Sequence, residues 1–188
     1  MRRLSLSLVL AVVAAAVSLP AAQATSSQQT ALRNPDVIWV PTRDPVVDGM
    51  LKMAGVTKND VVYDLGCGDG KIVIAAAQQY GARGVGIDID PRRIAEANAN
   101  AEKAGVTDRV TFILGDLFDP NVKISDATVV TLYLLQRLNE KLKPRLQSEL
   151  KPGTRVVSNT FHMGDDWPAE RTQTIDSYTV YFWTIPGR

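Results

Sequence analysis

The ten residues Val61-Val62-Tyr63-Asp64-Leu65-Gly66-Cys67-Gly68-Asp69-Gly70 constrain this chain more than any other stretch. Val61 to Leu65 is a short apolar run bounded by Asp60 and Gly66, the pattern of a strand buried on both faces. Glycines at alternate positions then break it, and an Ala- and Ile-rich segment over residues 70–80 carries a helical pattern closed by Gly81. Asp69 is the candidate cap of that helix. A strand that turns through glycine into a helix is the start of a βαβ unit, and it lets the backbone approach a nucleotide-like ligand closely.

The alternation continues along the chain. Asp44-Pro45 reads as an N-cap followed by proline at the first helical position, with Val46, Val47, Met50, Leu51 and Met53 as its buried stripe and Gly55 as its stop. Residues 84–89 form a second strand, and Asp90-Pro91 starts a helix that runs to Ala104 and ends at Gly105. Strands follow at 110–114 and 127–134. Residues 136–150 are helical in pattern but contain Pro144, which predicts a kink or two short helices. Lys151-Pro152-Gly153 turns into a strand over 154–161, and strand-like runs at 171–175 and 178–185 finish the chain with no helix between them. This order predicts a doubly wound, Rossmann-like α/β domain: a mostly parallel sheet, helices on both faces, and a terminal antiparallel hairpin.

The N-terminus carries a different signal. Arg2 and Arg3 precede an apolar stretch over residues 4–19 broken only by Ser5, Ser7 and Ser18, and Pro20 ends it. Its uninterrupted part, residues 8–17, is short against the about 20 residues a spanning helix needs. Ala22-Gln23-Ala24 supplies the small-x-small pattern of a signal peptidase site. The expected organisation is a signal peptide over 1–24, cleaved after Ala24, a tether over 25–40 that is polar from Thr25 to Arg33, and the α/β domain over 41–188. An uncleaved anchor facing the cytoplasm is the rival reading. Both place the protein at the cell envelope, with membrane association through this segment.

Formal net charge is +1, and without Arg2 and Arg3 the 21 basic residues fall to 19 against 20 acidic. No concentrated basic face is evident, so a nucleic-acid partner is not expected. Cys67 is the only cysteine, which excludes an internal disulfide and a cysteine-built metal site. No metal is expected.

The acidity of the glycine turn narrows the ligand. Its spacing is G-x-G-x-G, not the G-x-G-x-x-G that seats a pyrophosphate. Asp64 and Asp69 would also repel a pyrophosphate. S-adenosylmethionine (SAM) has no phosphate; its ammonium, sulfonium and ribose all suit acidic neighbours. Asp88, at the end of the second strand, occupies the place of a ribose-binding carboxylate. Asp90 reads as the next helix cap. Asp116, after the third strand, can accept from the adenine amino group while Leu117 or Phe118 packs on the ring. Asp69 and Gly70 complete the expected cofactor set. An NAD-dependent oxidoreductase and a noncatalytic SAM-binding module are the competing classes.

These residues resemble the class I SAM-dependent methyltransferases over nearly everything from Pro41 to Ile185. The resemblance implies seven strands in the order 3-2-1-4-5-7-6, the seventh antiparallel, with SAM contacts from Asp64, Gly66, Gly68, Asp88 and Asp116. A narrower likeness rests on Val40-Pro41-Thr42 and on the run from Asp64 through Lys71-Ile72-Val73-Ile74 to Ala77. It is similar to the family of mitochondrial lysine methyltransferases that act on the c-ring protein of ATP synthase and on adenine nucleotide translocase. That likeness implies a protein lysine as acceptor, a small molecule being the alternative, and makes Thr42 a candidate cofactor contact. The Asn/Asp-Pro-Pro-Tyr motif of amide and adenine methyltransferases is absent, and Thr131-Leu132-Tyr133-Leu134 stands in its place. Tyr133 is the candidate catalytic residue, its ring facing the transferring methyl; the competing reading is an aromatic that fills the strand–helix junction. His162, the only histidine, is by default structural, with a base role as the alternative. Cys67 reads as a small apolar side chain beneath the turn.

Overall fold

The computed structural model describes residues 32–187. The expected signal or anchor, and residues 25–31 of the expected tether, lie outside them. Chain order is α1 (Asp44–Met53), β1 (Val61–Leu65), α2 (Lys71–Tyr80), β2 (Arg83–Asp88), α3 (Pro91–Ala104), β3 (Val110–Leu114), β4 (Val129–Leu132), α4 (Gln136–Glu149), β5 (Arg155–Asn159), β6 (Arg171–Ile175) and β7 (Tyr178–Thr184). The seven strands form one sheet in the order β3-β2-β1-β4-β5-β7-β6, as the resemblance implied. β3, β2, β1, β4 and β5 are parallel; β7 runs antiparallel to both β5 and β6.

All five residues of β1 are buried, which explains its unbroken apolar text. Val62 joins the core under α1 and α2, whereas Val61, Tyr63 and Leu65 join the core under α4. Helices therefore cover both faces.

Three local expectations are corrected. Asp69 does not cap α2: Gly70 holds that position, in the left-handed conformation and without a side-chain hydrogen bond. Asp44 is the first residue of α1, not its cap; Arg43 holds the cap position without a side-chain hydrogen bond, and Asp44 Oδ1 instead accepts from Lys71 Nζ at 3.0 Å. The helix α4 is continuous through Pro144. Pro144 and Glu140 lie away from the buried stripe of Leu138, Leu142 and Leu146, and Glu140 is exposed, so the carbonyl that proline leaves unpaired faces water. Asp90 does cap α3, its carboxylate accepting from Arg92 N at 2.9 Å.

Register puts the strand ends in line. Leu65 lies beside Ile87 and Leu132, and Asp88 beside Leu114. The glycine turn, Asp88, residues 115–117 and Tyr133 consequently leave the sheet at one edge. This is where the strand order reverses between β1 and β4, the crevice in which open α/β sheets bind ligands.

Candidate active site

At that edge lies a cavity of about 880 Å³, within the range of small-molecule sites. Thr42, Asp64, Gly66, Asp69, Asp88, Asp116, Leu117 and Tyr133 all line it, so the structure gathers most of the sequence-predicted residues into one place. Gly68 and Gly70 are not among its walls. A Cβ on Gly68 would overlap the Trp39 indole, and one on Gly70 would meet the Phe112 ring at 2.6 Å. Both have positive φ, 52° and 79°. These two glycines are required by the turn's own conformation and by neighbouring side chains.

Asp64 is 3% exposed, and Thr131 Oγ1 donates to its Oδ1 at 2.8 Å. Burial pushes its carboxyl up to about 7, the negative Asp69 and Asp88 adding to the effect and the Thr131 bond opposing it. Asp88 is spent partly on the turn: Oδ2 accepts from Gly68 N at 2.8 Å and Oδ1 from Asp90 N at 2.9 Å. Asp88 also lines the cavity. Asp69 Oδ1 accepts from Lys71 N at 3.2 Å at the start of α2. Asp116 is held below the usual carboxylate range by Arg33, whose Nε and Nη2 donate to Oδ2 and Oδ1 at 2.5 and 3.0 Å. A crowded set of carboxylates, one of them stripped of water, fits a cationic ligand with hydroxyl groups and disfavours a phosphate.

Tyr133 is half-buried on the cavity wall, its ring perpendicular to that of Tyr178 with centroids 6.5 Å apart. His162 does not line the cavity. Its Nδ1 accepts from Gly164 N at 3.0 Å and lies 3.2 Å from Gln136 Nε2, while its ring packs on Tyr181, the structural role expected by default. Cys67 is buried beneath the turn, and burial pushes its thiol far up, which removes nucleophilic character. Among the described residues, no group of three or more His, Cys, Asp or Glu side chains is arranged to hold a metal ion.

Sequence reasoning missed the stretch before Pro41. Arg33, Asp36, Trp39 and Val40 line the same cavity. The reading of residues 25–40 as a tether passed over the apolar run Val37-Ile38-Trp39-Val40, the one signal there that marks the segment as more than a linker.

The sheet order and this acid-edged cavity define a class I SAM-dependent methyltransferase. The model of the ANTKMT methyltransferase domain matches residues 64–171, and the chain belongs to that family. A protein-lysine N-methyltransferase of Saccharolobus islandicus (strain REY15A) is 49% identical over 155 residues, which span 80% of this chain and 95% of that protein. The adenine nucleotide translocase lysine N-methyltransferase of Mus musculus is 33% identical over 124 residues, 64% of this chain and 53% of its own length. Among solved structures, an RNA methyltransferase from Salinibacter ruber in complex with S-adenosyl-L-homocysteine (SAH) superposes with a TM-score of 0.77 at 56% identity. It covers 79% of this chain and 95% of that one. The enzyme is a methyltransferase whose cofactor is SAM.

Proposed function

We propose that the methyl acceptor is the side-chain amine of a protein lysine. Similarity to a protein-lysine N-methyltransferase along nearly that protein's whole length carries this reading. The site is consistent with it. SAM supplies a methyl carbon already activated by its sulfonium, so the protein's task is binding and alignment. Asp64 and Asp88 offer carboxylates to the ammonium and the ribose; Asp116 and Leu117 border the adenine end, and Thr42 adds a hydroxyl to the lining. Tyr133 and Phe161 give the acceptor side an apolar border. Partial desolvation there favours the neutral, nucleophilic form of an incoming amine, so no dedicated base is required.

A second reading is favoured by one observation, the likeness to a structure described as an RNA methyltransferase. Against it stands the balance of charge around the cavity, where the carboxylates of Asp36, Asp64, Asp69, Asp88, Asp90 and Asp116 outnumber the cations of Arg33, Lys71, Arg92 and Arg93 and so disfavour a phosphodiester. Labelling separated protein, RNA and small-molecule fractions of the source cell with radioactive SAM decides between them. Methyl-lysine in hydrolysed protein supports the proposal. Label confined to nucleosides or to small molecules overturns it.

For location, the apolar N-terminal segment supports a place at the cell envelope. No helix among the described residues is long and apolar enough to cross a membrane.

A further inference from the structure

Residues 33–40 precede the first helix and belong to no helix or strand, yet they are tied to the domain at several points. Arg33 makes a two-point ion pair with Asp116 and also pairs with Asp36. The Arg33 guanidinium lies 5.5 Å from the centre of the Phe118 ring. Arg137 Nη2 donates to the Asp36 carbonyl at 3.0 Å. Trp39 rests on Gly68, whose missing Cβ leaves room for the indole, and Arg93 covers the Trp39 ring at 4.5 Å. Ile38 is 87% exposed, whereas Trp39, seated on Gly68, is 40% exposed and keeps a free part of its ring on the cavity wall.

The cavity has two walls. Asp64, Gly66, Asp88 and Asp116 leave the sheet edge on one side; Arg33, Trp39 and Thr42 face them from the N-terminal segment. Asp116 is shared between the walls. Its Oδ1 accepts from Phe118 N at 2.9 Å and from Arg33 Nη2, and its Oδ2 from Arg33 Nε, which fixes the carboxylate plane. We infer that residues 33–40 are a strap forming part of the SAM site, in which Trp39 contacts the cofactor over the Gly68 turn and Arg33 acts as a positioning residue through Asp116.

Tryptophan fluorescence tests this directly. The chain has three tryptophans, and Trp167 and Trp183 pack on each other, 5.9 Å between centroids, away from the cavity walls. Titrating the full-length protein with SAH should change the emission of the parent and of Trp167→Phe. In Trp39→Phe the change should vanish, and calorimetry should show SAH binding weakened roughly three- to tenfold, the range of a partly exposed aromatic contact. Arg33→Gln should accelerate SAH dissociation by a similar factor. Added salt should accelerate release more from the parent than from Arg33→Gln, because screening acts most on the exposed ion pair. Parent-like emission change and affinity in Trp39→Phe would make the segment a mere linker and overturn the inference. Tighter SAH binding in either variant would overturn it too, since the strap would then compete with the cofactor.

Discussion

Thr131 donates its hydroxyl to Asp64 Oδ1 at 2.8 Å across the β1–β4 pair, at the point where the sheet's strand order reverses. The bond partly opposes the burial that drives the Asp64 carboxyl up to about 7. Its consequence is pH dependence. A carboxyl raised in the folded state stabilises the free protein fully below the unfolded value of 3.8, and that contribution is lost as pH rises through about 7. Cofactor binding should run the other way, because the ammonium needs the ionised carboxylate. SAH affinity is expected to rise between about pH 6 and about pH 8 with proton release, measured by calorimetry in buffers of different ionisation enthalpy. Asp64→Asn should flatten this profile; an unchanged profile would detach Asp64 from the cofactor.

Asp88 has two tasks that substitution can separate. Asp88→Ala removes both the ribose contact and the acceptor for Gly68 N, and should weaken SAH binding by roughly 1.5–3 kcal/mol or more, the range for bonds to a charged group. Asp88→Asn keeps one acceptor oxygen and should recover part of the loss. Calorimetry giving parental affinity for a folded Asp88→Ala would refute the assignment.

Gly68 and Trp39 should be energetically coupled. Gly68→Ala strains a residue at φ 52° and drives its Cβ into the indole. Adding Trp39→Gly removes only the second penalty. The double variant should thus melt higher than the two single effects added together, with a coupling of about 0.5–3 kcal/mol. Simple additivity would show that Trp39 does not occupy the notch in solution.

Tyr133 touches both the cavity and Tyr178. If its ring serves methyl transfer, Tyr133→Phe should retain turnover and SAH affinity, and Tyr133→Ala should lose turnover while melting within about 4 °C of the parent. A larger fall in melting temperature without loss of turnover would assign Tyr133 to packing.

The N-terminal reading has its own measurement. Sequencing the natural protein from its first residue should give Thr25, the product of cleavage after Ala24. An intact Met1 or Arg2, with an inactive external reporter fused to the chain, would instead mean an anchor facing the cytoplasm.

What the text made legible was local. β1, β3 and β6 lie where their apolar or alternating patterns put them, and Gly81 and Gly105 end α2 and α3 in the left-handed conformation that glycine favours. Pro144 misled because its cost depends on whether the freed carbonyl meets water or core. The Asp44-Pro45 pair misled because an acid one position inside a helix and an acid capping it look alike in sequence.

By itself, then, the sequence determined the elements, their order and the acids at the ends of three successive strands, since backbone preference and burial periodicity act over a few neighbouring residues. Only the tertiary structure decided what those acids face. Strand register brings Asp64, Asp88 and Asp116 to one edge. Packing of the N-terminal segment on that edge carries Arg33 onto a carboxylate 83 positions away and Trp39 onto Gly68. Such pairings leave no local periodicity, because they depend on which distant surfaces the folded chain sets side by side.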